Sequence, residues 1–168
     1  RGTPRLARAQ ANAEAYGVTD HTAFRVADAV GYEPAPGTLI FFDPARRREQ
    51  RGSRQRVWHP DAYEPPLSLI ERWLDRAAGI GVKVAPGIDY EALPYECEVE
   101  IVSVAGEVKE ACLWLGAFRR TTRSATLLPG GATITAVDVA PVPVTQPQQF
   151  LYEPDGAVIR AGLVFHHR

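Results

Sequence analysis

Three segments of the sequence place acidic or aromatic side chains directly after a predicted strand. Asp28 follows the segment AFRVA, Asp43-Pro44 follows TLIFF, and residues 86–90 (PGIDY) follow GVKVA. Because ligands of open parallel sheets bind at the carboxyl ends of the strands, we expect these side chains to meet at one edge. A carboxylate oxygen only accepts hydrogen bonds, so it suits the amino group of a ligand or substrate. A single aspartate at such a position also serves as a turn or cap residue, and this alternative stays open.

Arginine is concentrated in one short stretch. Only Lys83 and Lys109 among the 19 basic residues are lysines, and the segment 46–56 carries Arg46, Arg47, Arg48, Arg51, Arg54 and Arg56. Guanidinium groups match the geometry of phosphate, which predicts a phosphate-facing surface. The alternative is a solvated face or loop. Lys83 itself lies inside a predicted strand, and we interpret it as an edge or snorkelling residue.

The elements that must position these residues alternate along the chain. We predict helices at 4–16 and 67–78, strands at 23–27, 38–42 and 81–85, and a long loop at 45–66. Such alternation is typical of a parallel sheet with crossover helices. The uninterrupted apolar run at 38–42 further predicts a strand that is buried on both faces.

A hairpin follows this alternating part. Residues 97–104 and 107–115 are strand-like and meet at Ala105-Gly106, and one or two more strands are predicted within 116–135. A two-residue turn would pair Val99 with Cys112. This register puts Cys97 and Cys112 diagonally on one face, at roughly 7–8 Å, which is too far for a comfortable disulfide. We therefore predict two free, buried thiols.

Composition excludes several classes of protein. The chain has 168 residues, 45% hydrophobic and 23% charged, with a net charge of −1, as expected for a globular protein. It contains no apolar run of ~18 residues and no signal-peptide pattern, which predicts a cytoplasmic protein that does not span a membrane. The histidines show no metal-ligand spacing with the cysteines, so no metal is predicted. Methionine is absent and both terminal residues are arginines, from which we expect a piece of a longer protein.

Several segments together carry a family resemblance. They are ANAEAYG (11–17), FRVAD (24–28), FFDPARR (41–47), YEPPL (63–67), GVKVAPGIDY (81–90), EVEIVSVAGEVKEACLWLG (98–116) and LYEPDGAVIRAG (151–162). In this combination the chain resembles bacterial class I S-adenosylmethionine-dependent methyltransferases with a THUMP-like C-terminal domain. FFDPARR and GVKVAPGIDY are the more specific segments, and the resemblance extends from residue 8 to residue 163.

The resemblance implies an α/β fold, namely the C-terminal part of a Rossmann-like methyltransferase sheet whose parallel strands end in an antiparallel hairpin. This chain would supply the last five strands and the hairpin. Residues 1–140 would form a partial methyltransferase domain without the first strand and glycine-rich loop. Residues 141–168 would form a linker and the start of the THUMP-like domain.

The same resemblance implies roles for single residues. Asp28 matches the residue that accepts a hydrogen bond from the adenine amino group of S-adenosylmethionine. Asp43 and Pro44 match the start of the D-P-P-aromatic motif of amino-methylating enzymes, in which the aspartate and the following carbonyl orient the substrate amine. Ala45 departs from the second proline, and Arg46 replaces the aromatic residue, although its guanidinium plane could stack on a base.

These matches lead to a functional prediction with one alternative. We predict nitrogen methylation of RNA, because the implied THUMP-like domain and the arginine segment both point to RNA. The residues predicted to contact the substrate are Arg46, Arg47, Tyr63, Asp89 and Tyr90. The alternative, favoured by the departures at Ala45 and Arg46, is a catalytically degenerate module of the same fold that binds nucleic acid without chemistry.

Overall fold

The computed structural model describes residues 3–46, 63–136, 145–147 and 149–164, without the side chains of Thr3 and Arg46. They belong to two compact units, Arg1–Glu33 and Pro34–Arg168. The first unit contains helix α1 (Thr3–Ala15), which confirms the predicted helix at 4–16, and short 3₁₀ turns at Thr19–His21 and Ala29–Gly31.

The predicted strand at 23–27 is wrong. Residues 22–28 form no regular element and pair with no strand among the described residues. An alternating pattern produces a strand only where a neighbouring strand supplies the hydrogen-bonding partners. Of the three strands predicted in the alternating part of the chain, those at 38–42 and 81–85 form and the one at 23–27 does not.

The second unit is built on a six-stranded sheet. Its strands are β1 (Leu39–Phe42), β4 (Gly79–Val84), β5 (Glu98–Val104), β6 (Glu107–Gly116), β7 (Arg123–Leu128) and β8 (Ala132–Thr135), and a separate ribbon contains β2 (Ala45–Arg46) and β3 (Tyr63–Glu64). The spatial order is β1-β4-β6-β5-β7-β8. Strands β1 and β4 are parallel, and β6 runs antiparallel to both β4 and β5. This confirms the predicted α/β class, a Rossmann-like sheet whose parallel strands end in an antiparallel hairpin.

Only the two ends of the predicted loop at 45–66 lie in the described part of the chain. They form the antiparallel ribbon, in which Ala45 pairs with Glu64 and Arg46 with Tyr63. The residues between them, 47–62, lie outside the described residues, and with them Arg47 and most of the arginine segment.

Helix α2 (Leu69–Leu74) is shorter than the predicted helix at 67–78. It buries Leu69, Ile70 and Trp73, and the Trp73 ring packs edge-on against Phe42 with a centroid distance of 5.2 Å. Gly79, the residue after the predicted helix, begins β4.

Strand β1 is buried on one face only, so the prediction of burial on both faces is wrong. Phe42 is buried, whereas Leu39 and Phe41, on the opposite face, are 58% and 63% exposed. In the described sheet β1 is an end strand, and α2 covers only the side that carries Phe42.

The hairpin forms as predicted but with a different register. Ala105 (φ 52°) and Gly106 (φ 82°) both have positive φ, as a type I′ turn requires. An irregularity between Val102 and Ser103 then shifts the pairing by one residue, so that Cys112 lies opposite Glu100 and not Val99. A one-residue shift reverses the faces of a strand. Cys97 and Cys112 thus lie on opposite faces. Both are free thiols as predicted, but only Cys112 is buried and Cys97 is half-buried.

Helix α3 (Gly156–Arg160) packs against β5, β6 and β7. The Asp155 side chain accepts a hydrogen bond from the backbone N–H of Ala157 at 2.8 Å, which caps the helix, and Ala157 and Val158 are buried. The described part of the chain contains no helix with the length and apolarity needed to cross a bilayer.

Candidate functional site

Asp43, Lys83 and Glu110 form a row of charges across three neighbouring strands, here called the charged row. Phe42 is in register with Val82, so the next residues, Asp43 and Lys83, lie side by side. The Lys83 Nζ is 3.9 Å from Oδ2 of Asp43 and 3.3 Å from Oε2 of Glu110. The Asp43 side chain is 61% exposed, so it is open to solvent at the carboxyl end of β1.

Lys83 is a fixed cation in this row. The hydrogen bond from Lys83 to Glu110, together with the charges of Glu110 and Asp43, raises the pKa of Lys83 above its usual value. The ammonium group therefore remains protonated at neutral pH and cannot act as a general base. Because β4 lies between β1 and β6, Lys83 is not an edge residue, and its 40% exposed side chain leaves the snorkelling alternative.

The backbone that follows Asp43 is anchored to the core. Pro44 is buried, and the next two residues pair with β3. Tyr63 in β3 is only 3% exposed, and its Oη accepts a hydrogen bond from the backbone N–H of Ala85 at 2.8 Å. Tyr63 thus lies in the core, where it ties the ribbon to the end of β4, and not on an open face.

The loop after β4 is fastened to helix α3. The guanidinium of Arg160 donates through Nε to the carbonyl of Pro86 at 2.6 Å and through Nη2 to the carbonyl of Ile88 at 2.7 Å. The half-buried Tyr90 ring lies 4.1 Å from the Arg123 guanidinium and 4.8 Å from that of Arg160. Tyr90 also donates a hydrogen bond to the Arg160 carbonyl at 3.2 Å.

Asp28 and Asp89 are both exposed, whereas the side chains of Arg46 and Arg47 lie outside the described part of the structure. Asp89 points from the same loop and is exposed. Asp28 is an exposed residue of the N-terminal unit, and its Oδ1 accepts a hydrogen bond from the backbone N–H of Val30 at 3.0 Å. One oxygen of Asp28 therefore has the cap role that the sequence left open as the alternative.

A cleft of about 480 Å³ lies over β5, β6 and β7 and was not expected from the sequence. Glu98 lines it and accepts hydrogen bonds from the backbone N–H of Arg120 at 2.9 Å and from Oγ of Ser124 at 2.6 Å. Glu100 accepts from Nε1 of Trp114 at 2.7 Å. Both carboxylates are thus engaged with neighbouring groups of the protein.

Sequence reasoning missed the partners of Asp43. Glu110 belongs to no recognisable motif. It lies in β6 and Lys83 lies in β4, with β5 between them along the chain, so only the pairing of β4 with β6 brings the two residues together. Within the described residues, no group of three or more His, Cys, Asp or Glu side chains is arranged to hold a metal ion.

Comparison with known proteins gives two kinds of result. No family model matches the sequence. Two curated proteins of Mycobacterium tuberculosis, from strains CDC 1551 and H37Rv, are each 38% identical over 132 residues, and both bear the name uncharacterized S-adenosylmethionine-dependent methyltransferase. The aligned region covers 75% of this chain and 35% of each relative.

One solved structure is also similar. A protein of Porphyromonas gingivalis W83, whose crystal structure bears the name putative methyltransferase, matches 74% of this chain and 33% of its own length. The TM-score is 0.47 and the sequence identity is 23%. The chain thus spans about a third of the length of the curated relatives that it resembles.

Proposed function

We propose that this chain is part of a cytoplasmic S-adenosylmethionine-dependent methyltransferase that methylates a nitrogen atom of RNA. In this proposal Asp43 and Pro44 position the acceptor amine. Residues 1–140 belong to the methyltransferase domain, and residues 141–168 are a linker and the start of a THUMP-like domain. The observation that carries the proposal is the exposed Asp43 carboxylate at the carboxyl end of β1. The names of the two mycobacterial relatives support the reaction class.

Asp28 has the chemistry that the adenine amino group of the proposed cofactor needs. Asp28 is an exposed, acceptor-only group, and its contact with Val30 N–H engages one of its two oxygens. A carboxylate offers about four lone-pair sites, so it can also accept from an adenine amino group. When bound, S-adenosylmethionine supplies an electrophilic methyl group on a sulfonium centre.

The work assigned to the protein is positioning. The Asp43 carboxylate and the Pro44 carbonyl accept hydrogen bonds from the N–H groups of the acceptor, which fixes the direction of its nitrogen lone pair. The ribbon and the Tyr63–Ala85 hydrogen bond hold this backbone in place before substrate arrives. Prior alignment of this kind removes an entropic cost from the reaction and supplies electrostatic stabilisation. Tyr63 accordingly supports the site from the core.

RNA as the substrate is supported by the arginine segment of the sequence. Arg46 and Arg47 stand three and four residues after Asp43 in the sequence, where they could hold phosphates beside the acceptor, and Asp89 and Tyr90 are also proposed to contact the substrate. Replacing Arg48, Arg51 and Arg54 together by glutamine should weaken RNA binding mainly at low salt. Three lost phosphate contacts should reduce the slope of log affinity against log salt by about 2. An unchanged slope would show that the segment is a solvated face.

The catalytic test uses the product of the complete reading frame that encodes this chain. We expect heat on calorimetric titration with S-adenosylmethionine, and transfer of tritiated methyl groups to total RNA. Asp43→Asn should slow the transfer about 10²-fold, the scale of losing one electrostatic contact at a reacting centre. Asp75→Asn, at an exposed aspartate after α2, is the matched control and should be neutral.

The alternative predicts a different outcome. A degenerate module that binds nucleic acid without chemistry is favoured by Ala45, which stands where the motif has its second proline. Such a module would show neither heat nor a thermal shift with S-adenosylmethionine, while it retained salt-dependent RNA binding. Turnover that is equal in wild type and Asp43→Asn would remove Asp43 from the site.

A further inference from the structure

We infer that Lys83 is a positioning residue for Asp43, that it is held in place by Glu110, and that it leaves one oxygen of Asp43 available to the acceptor amine. This inference rests on the proposed function, since it assigns the partners of the proposed acceptor-binding carboxylate.

The sheet register builds this contact. Strands β1 and β4 run parallel, so Asp43 and Lys83 both lie at the carboxyl end of the pair. Lys83 is paired with Cys112 in β6, and Glu110 lies two residues from Cys112 and therefore on the same face. Three neighbouring strands thus contribute one charged residue each, in the order carboxylate, ammonium, carboxylate.

The two distances from the Lys83 ammonium differ within the charged row. Glu110 is the nearer partner of the Lys83 ammonium, at 3.3 Å against 3.9 Å for Asp43. Lys83 is therefore held mainly by Glu110, and it restrains Asp43 through Oδ2. The contact with Lys83 involves only Oδ2 of the 61% exposed Asp43 side chain, and a carboxylate offers about four lone-pair sites, so Oδ1 can accept from a ligand.

The charge balance suits an uncharged amine donor. The row carries two carboxylates and one ammonium, so its net charge is −1. Cys112, the other titratable group that faces Lys83, adds no charge because burial raises its pKa to about 12. If Lys83 were absent, no cation would lie between the carboxylates of Asp43 and Glu110, which share one face of the sheet. All three side chains are more than a third exposed, so solvent screens the row and a modest effect is expected.

The two lysines of the chain make a direct test possible. With ¹³Cε-labelled lysine the full chain gives one signal for Lys83 and one for Lys109, which contacts Glu107 at 2.6 Å and serves as an internal control. Titration to alkaline pH should show that Glu110→Gln lowers the pKa of Lys83 and that Asp43→Asn lowers it less. The chemical shift of the Lys109 signal at neutral pH should not change in either variant. In Glu107→Gln the signal of Lys109 alone should move.

Activity provides the second readout. In the product of the complete reading frame, Lys83→Met should reduce kcat for methyl transfer to total RNA about two- to fivefold, the scale of an exposed ion pair. The KM for RNA should stay constant, since Lys83 acts through Asp43 and does not contact the substrate. Lys83→Arg should restore most of the rate, and Lys109→Met should be neutral.

The outcomes separate this inference from the proposed function. An unchanged Lys83 signal in Asp43→Asn, or a wild-type kcat in Lys83→Met, would overturn the role of Lys83. Absence of any methyl transfer would refute the proposed function. In that event a Lys83 signal that responds to Asp43→Asn would still support the contact between the two residues.

Discussion

Gly81 in β4 has little space for a side chain. A Cβ at this position would lie 2.5 Å from Cζ3 and 2.9 Å from Cε3 of Trp114, and 3.1 Å from Cδ2 of Phe41. Carbon atoms at optimal contact are about 3.5–4.0 Å apart, so Gly81→Ala requires the indole ring to move.

The cost follows from what holds the indole. Nε1 of Trp114 donates to Glu100 at 2.7 Å, and the ring packs edge-on against Phe118 with a centroid distance of 5.8 Å. Forcing an extra methyl group into a packed site costs about 1–3 kcal/mol. The loss of chain entropy in the unfolded state returns about 0.4–1 kcal/mol. We expect a net loss of roughly 1–2 kcal/mol, or about 2–8 °C in Tm at the usual 2–4 °C per kcal/mol for this size.

Urea denaturation and thermal melting of the variants measure this loss. Gly130→Ala is the matched control, because a Cβ there meets nothing within 4 Å and the backbone is not in the left-handed region. In a Trp114→Leu background, which removes the six-membered ring that crowds Gly81, Gly81→Ala should cost much less. Equal stability of Gly81→Ala and wild type, or an equal cost in both backgrounds, would refute the packing argument.

Two further predictions concern the thiols and the loop after β4. Burial raises the pKa of Cys97 to about 11 and that of Cys112 to about 12. The unfolded chain then ionises first, so their contribution to stability is complete below pH 9 and is lost between pH 9 and 12. Denaturation measured from pH 8 to 11 should show a steeper decline in wild type than in the double cysteine-to-alanine variant, and identical declines would contradict this. Arg160→Ala should accelerate amide hydrogen exchange in residues 86–90, because two carbonyls of this loop lose their donor. Arg120→Ala should leave that exchange unchanged. Equal exchange in Arg160→Ala and wild type would show that Arg160 does not hold this loop.

Local chemistry accounts for the elements that were predicted correctly. Helix α1 begins at a threonine followed by proline, and Gly17 beyond its end adopts a φ of +65°. The turn at Ala105-Gly106 joins two strand-like runs within one short segment. Such features depend on residues that are near each other in sequence, so no knowledge of the remaining fold is needed.

Burial was less predictable than secondary structure. The run 38–42 is apolar throughout, yet only one side of β1 is covered in the described structure. Tyr63 was expected to face a substrate, and its hydroxyl instead binds the backbone of Ala85, 22 residues away. A tyrosine can face a substrate or pack in the core, and its residue type does not distinguish the two. The position of the neighbouring strand decides which one occurs.

The sequence by itself determined that Asp43 follows a strand, that the strands alternate with helices before a hairpin, and that basic charge gathers after Asp43. Only the tertiary structure decided which groups surround that aspartate. The register of β1 with β4 places Lys83 beside Asp43, and the pairing of β4 with β6 brings Glu110 to Lys83. A one-residue bulge was enough to reverse the face of Cys97. Pairing between strands that are distant in sequence depends on the packing of the whole sheet, whereas turns and caps depend on a few adjacent residues.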